Sequence, residues 1–144
     1  MRRVFLFINF QLSPFRLIQL FLRCMQYTLK KSLGQHFLKD EKICREIVGA
    51  LQASITATAV HNVIEVGPGA GAITKFILQI PGIDFKGVEL DDEKVAYLEH
   101  VYPSIKGKII HKDFLNIEAP YTMPFIVIGN FPYNISTQIV FKIM

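Results

Sequence analysis

The first 39 residues contain no acidic side chain, although seven Lys or Arg fall among them. Asp40 is the first carboxylate, and residues 40–144 then hold twelve acids against nine bases. The formal charge of +4 is therefore no property of the whole chain. It belongs to a basic N-terminal arm, which suits phosphates or acidic lipids as partners and suits plain solvation equally well. Cysteine is nearly absent. Cys24 and Cys44 stand alone, with no spacing for a disulfide framework or a metal site, so no metal is expected and reduced thiols of a cytosolic protein are the simplest reading. Low-complexity tracts and internal repeats are missing too. With 51% hydrophobic and 19% charged residues, the 144-residue chain is a globular domain rather than a disordered one, and is long enough to bury a core.

An unbroken apolar run of membrane length is also lacking. Val4 to Phe10 and Phe15 to Leu22 are largely apolar, but Asn9, Gln11, Pro14, Arg16 and Gln19 interrupt them. Those residues are costly in hydrocarbon, which argues against a spanning helix and against membrane residence. Arg2 and Arg3 make a basic start, yet no convincing small-residue cleavage site follows; the absence of acids suits a transit peptide, although serine is scarce. Residues 1–24 are accordingly set apart as an upstream extension, and Met25 is expected to be the true start in preference to any targeting role for the leader.

From Asp40 onward the pattern alternates. Asp40 is placed to cap a helix with Ile43, Ile47, Val48 and Leu51 on one face, and Ser54 to Ala59 reads as a loose connection. Val63-Ile64-Glu65-Val66 is a short buried strand. A glycine turn then leads to a helix carrying Ile73, Phe76 and Ile77, which Pro81-Gly82 breaks. Phe85 to Glu89 is a second strand, Asp91 to His100 a helix, Lys108 to His111 a third strand. Residues 115–124 form a loop, and Phe125 to Gly129 a fourth strand. Ser136 is placed to cap a last helix with Ile139, Val140 and Ile143. Strands alternating with helices predict an α/β domain with a doubly wound parallel sheet.

Chemistry-bearing residues follow each strand. Gly67-Pro68-Gly69-Ala70-Gly71 lets the backbone pass close to a ligand and offers a helix N-terminus. With Ala72 it also satisfies the dinucleotide pattern G-x-G-x-x-A. Glu89, 22 residues after Gly67, is placed to accept the hydroxyls of a ribose, in NAD and in S-adenosylmethionine alike. Asp113 can accept from an exocyclic amine. Asn130-Phe131-Pro132-Tyr133 brings together an Asn oxygen, a carbonyl on a residue without an N–H, and an aromatic ring on which a base can stack.

This ordered set, together with Leu33-Gly34-Gln35-His36-Phe37-Leu38, resembles the ribosomal RNA adenine dimethyltransferase family from about Tyr27 to the last residue. The resemblance implies a Rossmann-like class I S-adenosylmethionine-dependent methyltransferase fold, of which the sequence covers the part up to the fourth strand, with 25–144 as the N-terminal part of the catalytic domain. It implies N6,N6-dimethylation of adjacent adenines in a hairpin loop of small-subunit (16S) rRNA, on the immature 30S subunit, by a cytoplasmic monomer. It also assigns roles. Gln35, His36 and Leu38 close over the methionine end of the cofactor, and Glu65 lies near its ammonium. Gly67, Gly69 and Gly71 form the loop, Glu89 takes the ribose, and Asp113 meets the adenine amine. Asn130 lies against both cofactor and target, with Pro132 and Tyr133 completing the catalytic group. Lys112 departs from the residues the family more often has before that Asp.

Three rivals share part of the pattern. A nicotinamide-dependent oxidoreductase explains the glycine loop and Glu89 but not Asp113 or Asn130 to Tyr133. A methyltransferase of DNA adenine or protein glutamine has a similar strand-end motif but lacks the Gly-Gln-His-Phe-Leu segment. A non-catalytic ribosome-assembly factor shares every motif. A parallel sheet that stops at its fourth strand is expected to expose an apolar edge.

Overall fold

The computed structural model of the chain describes residues 2–9 and 40–143. Five strands, β1 (Arg2–Asn9), β2 (Asn62–Val66), β3 (Asp84–Glu89), β4 (Ile109–His111) and β5 (Phe125–Pro132), form one sheet in the order β1-β5-β2-β3-β4. Strands β2 to β5 are parallel. Four helices accompany them: α1 (Glu41–Thr58), α2 (Thr74–Ile77), α3 (Asp92–Val101) and α4 (Tyr133–Ile143).

Alternation along the strands divides the core. Val63, Ile126 and Ile128 pack with Leu51, Ile77, Leu98 and Ile105 on one face. Ile64, Val66 and Val127 point the other way and pack with Phe114, Ile139 and Ile143. Successive side chains of a strand point to opposite faces, so a strand covered on both sides reads as a continuous apolar run. Helices α1, α2 and α3 thus cover one face, and α4 with the turn at Phe114 covers the other. Strand order reverses between β2 and β5, which makes that boundary the switch point of the doubly wound sheet.

The predicted elements are present, with several boundaries shifted; the strand expected to end at Gly129 runs on to Pro132. Residues Ser54 to Thr58 continue α1 rather than forming a loose connection. The hydroxyls of Ser54, Thr56 and Thr58 donate to the carbonyls of Ala50, Gln52 and Ser54 at 3.0, 2.9 and 2.7 Å, so these polar residues are satisfied inside the helix. Buried Ile55 carries on the stripe of Cys44, Val48 and Leu51, and Ala59 closes the helix in the left-handed region. Helix α2 is only four residues long, because short-range bonds such as Phe76 N–Ile73 O (2.9 Å) and Ile80 N–Ile77 O (3.0 Å) replace helical ones at its ends. Helix α4 begins at Tyr133, well before Ser136, directly after Pro132. A residue without an N–H ends the ladder and is tolerated where a helix starts.

The expected bare edge is not observed. β1 lies antiparallel along β5 over its whole length, from Arg2 opposite Pro132 to Asn9 opposite Phe125. The opposite edge is β4, three residues long and flanked by Lys108 and Lys112, a blunt and charged border. Cys44 is buried and unbridged, and burial raises its thiol pKa; Cys24 lies outside the described residues. No helix among the described residues is long and apolar enough to cross a membrane. Since β1 covers the β5 edge, a chain beginning at Met25 is expected to self-associate at micromolar concentration and to unfold at lower urea. Light scattering and urea titration of the two forms, side by side, check this.

Candidate active site

The register of the sheet sets the site. Val66 pairs with Val88 on one side and with Gly129 on the other. The next residues along these strands, Gly67, Glu89 and Asn130, therefore emerge side by side at the carboxyl end of the sheet. Glu89 is also level with His111 of β4. Ligands of open α/β sheets bind at this end, at the switch point.

Gly67 has a φ of +66°, and a Cβ added there would meet nothing within 4 Å. The loop thus presents bare backbone to open space. Gly71, at φ +79°, is needed for a different reason: a Cβ would come within 2.8 Å of the Tyr102 ring, which packs beneath the loop. The helix N-terminus is expected to present free N–H groups, but the three glycine amides are engaged within the fold. Gly67 N donates to Val88 O (2.8 Å), Gly71 N to Pro68 O (2.9 Å), and Gly69 N to Glu89 Oε2 (2.9 Å). The short α2 adds no long helix dipole behind them. What the loop provides is close approach, not a nest for phosphate.

Glu89 is buried at the end of β3. Its Oε1 accepts from Leu90 N (2.9 Å) and Asp91 N (3.2 Å), and its Oε2 from Gly69 N. A carboxylate has about four acceptor positions. Three are used to aim the group, so the remaining capacity is small. Asp91, not Glu89, caps α3, through Lys94 N at 3.2 Å. Leu90, 67% exposed, adds an apolar surface beside the carboxylate. Asp113 stands two residues beyond the end of β4 rather than on it. It caps the turn Phe114–Asn116, accepting from Leu115 N (2.9 Å) and Asn116 Nδ2 (3.2 Å).

Asn130 is 8% exposed, and among the described residues neither Oδ1 nor Nδ2 has a hydrogen-bond partner. Burying both ends of a carboxamide without partners costs about 1–3 kcal/mol for each group. Pro132 closes β5 and Tyr133 opens α4, directly after it. Gln35, His36 and Leu38 lie outside the described residues. No group of side chains able to hold a metal ion occurs among the described residues.

Glu65 is 2% exposed and ends one residue before Val66. Burial pushes its carboxyl up to about 7; a hydrogen bond from Thr74 opposes the rise, and the charge of Glu89 adds to it. Two contributors escaped the sequence reading. Thr74 looks like an ordinary helix residue until the fold turns it onto Glu65. His111, to which the pattern assigned nothing, has its Nε2 3.0 Å from Leu90 O and ties β4 to the loop after Glu89.

The raised Glu65 value has a consequence for stability. Between about pH 4.5 and 7 the folded protein retains a proton that the unfolded chain has released, so stability falls as pH rises through that window and levels off above it. The fall is on the order of 3 kcal/mol at most, at about 1.4 kcal/mol per unit. Urea midpoints measured from pH 4.5 to 8 should show it, and Glu65→Gln should remove it.

Comparison with known proteins agrees with this geometry. The family model for ribosomal RNA adenine dimethylase matches residues 26–144. "Ribosomal RNA small subunit methyltransferase A" of Flavobacterium johnsoniae is 48% identical over 116 residues, covering 78% of this chain and 42% of the relative. The protein of the same name from Parabacteroides distasonis is 47% identical over 117 residues, covering 80% and 42%. That from Cytophaga hutchinsonii is 43% identical over 117 residues, covering 80% and 44%. The chain thus spans less than half the length of the curated relatives it matches. A Rossmann-like sheet with an unsatisfied Asn beside a glycine loop, and a match across residues 26–144, lead to one statement: the chain belongs to the ribosomal RNA adenine dimethylase family.

Proposed function

We propose that this chain carries the S-adenosylmethionine-binding part of an enzyme that dimethylates N6 of adjacent adenines in a hairpin loop of small-subunit rRNA. The observation that carries the reading is the buried, unpartnered carboxamide of Asn130 at the switch point. Both of its ends are free, and an adenine edge offers an amine to the oxygen and a ring nitrogen to the NH2. Residues 25–144 form the N-terminal part of the catalytic domain, with 1–24 as an extension. The enzyme acts as a cytoplasmic monomer on the immature 30S subunit. The names of the relatives support rRNA as substrate.

The residues present fit the cofactor. Glu89 is aimed by three amides to receive ribose hydroxyls, Asp113 keeps acceptor capacity for an adenine amine, and Gly67 leaves the open space that close approach needs. Gly69, Gly71 and Glu65 shape and back the loop, and Gln35, His36 and Leu38 cover the methionine end. When bound, S-adenosylmethionine supplies a methyl sulfonium that is electrophilic without further activation. The chain's task is then to present a nucleophile. An adenine amine is a poor one, since its lone pair is delocalised into the ring. Asn130 Oδ1 and the Pro132 carbonyl accept its two hydrogens, which localises the lone pair and aims it. Tyr133 stacks on the extruded base, and unpaired loop adenines cost least to extrude. Orientation of this kind supplies about 7–11 kcal/mol in favourable cases. The methylated amine then releases its proton to solvent, so no side chain need act as general base.

The experiment is tritiated methyl transfer onto unmethylated small ribosomal subunits, with calorimetry of the cofactor alongside. Asn130→Ala is expected to lower transfer by about 10²-fold or more, with cofactor affinity changed only a few-fold. Tyr133→Phe should be mild and Tyr133→Ala should lose roughly 1–3 kcal/mol of stacking. Glu89→Ala should abolish S-adenosylmethionine binding, and NAD should bind neither form. Near-normal turnover in Asn130→Ala would make Asn130 to Tyr133 a structural turn and favour the assembly-factor reading.

A further inference from the structure

Glu65 combines two properties that oppose each other. It lies deep in the fold, and its neighbours do little to stabilise a negative charge there. Glu89 faces it from β3 with a charge of the same sign, and the Tyr102 phenol faces it from beyond α3. Lys75, the cation nearest along the chain on α2, is drawn away to Glu41 at 2.6 Å. Among the described residues, no Lys, Arg or His forms an ion pair with Glu65. The favourable contact is Thr74, itself fully buried, whose Oγ1 donates to Glu65 Oε2 at 2.7 Å. A hydroxyl that donates to a carboxylate oxygen stabilises the ionised form over the protonated one.

We infer that Thr74 is a positioning residue, whose hydroxyl holds the Glu65 carboxylate ionised behind the glycine loop as the counter-charge for a cationic ligand. The inference rests on the reading of this site as one for S-adenosylmethionine. That cofactor carries one more positive charge than its demethylated product, whose sulfur is a neutral thioether. Both carry the ammonium, so the difference is the sulfonium charge: an ionised Glu65 adds to the preference for cofactor over product, and a protonated one adds less. Thr74 thereby sets the pH range over which product leaves in preference to cofactor. The direction follows from the group itself: burial already draws Glu65 up to about 7, so loss of the opposing hydrogen bond moves its ionisation further upward.

The test is calorimetry of S-adenosylmethionine and of its demethylated product, S-adenosylhomocysteine, on the full chain from pH 6 to 9, with thermal unfolding recorded in parallel. In the wild type the preference for the cofactor should appear as pH rises through about 7. In Thr74→Val, which keeps the shape and removes the hydroxyl, that midpoint should rise by about one unit, so that near neutrality the ionised fraction, and with it the preference, falls up to about fivefold. Thr74→Ser should restore the wild-type profile, and Glu65→Gln should abolish its pH dependence. Thr74→Cys keeps the volume with a weaker donor and should shift the midpoint in the same direction if Thr74→Val does not fold. A Thr74→Val profile that superimposes on the wild type overturns the inference while leaving the cofactor reading intact. So does an equal loss of affinity for both ligands at every pH, with a lower melting temperature, which is the mark of a packing role. A wild type that binds neither ligand overturns the cofactor reading and the inference with it.

Discussion

The double parallel pairing of β2 is the constraint on which the rest depends. Because β2 is hydrogen-bonded in register to β3 on one side and β5 on the other, Val66, Val88 and Gly129 lie level. Gly67, Glu89 and Asn130 are neighbours for that reason alone, although 63 residues separate the first from the last in sequence. A slip of one residue in the β2–β5 ladder would move Val127 to the opposite face of the sheet and carry Asn130 with it. The apolar alternation that fills two cores is thus also what aligns the polar groups.

Much of this was legible in the residues. Continuous apolar runs such as Val63-Ile64 and Ile126-Val127-Ile128 marked strands buried on both faces, and each acid or Asn after a run marked a strand end. What was not legible depended on contacts across space. The Ser-Thr segment Ser54 to Thr58 has the composition of a loop, and only its hydroxyl back-bonds and the burial of Ile55 keep it helical. The glycine loop has the pattern of a strand-to-helix turn with free amides, but whether its amides are free depends on Val88 O and Glu89, which belong to another strand. Thr74 and His111 gained a role only from their partners. Nothing in the sequence matched Arg2–Asn9 to β5, since any apolar strand satisfies an open edge.

Two acids crowd the loop, and they are treated differently. Glu89 is surrounded by amides that satisfy a carboxylate, whereas Glu65 has burial against it and a hydroxyl for it. The amide-supported acid thus lies toward the open end and the poorly supported one behind the loop, so the site carries two acids of unequal support. A ligand with polar hydroxyls at one end and positive charge at the other is complementary to such an arrangement.

The ladder between β1 and β5 links the start of the chain to residues about 120 positions later, from Arg2 opposite Pro132 to Asn9 opposite Phe125. Contacts of that span form late, because the intervening chain has to be ordered first. During synthesis at about 5–20 residues per second, the apolar stretch Val4 to Ile8 waits roughly 6–25 s before its partner exists. For that interval the segment is a client for whatever in the cell shields unpaired strands, and the speed of translation becomes one of the determinants of whether the sheet closes.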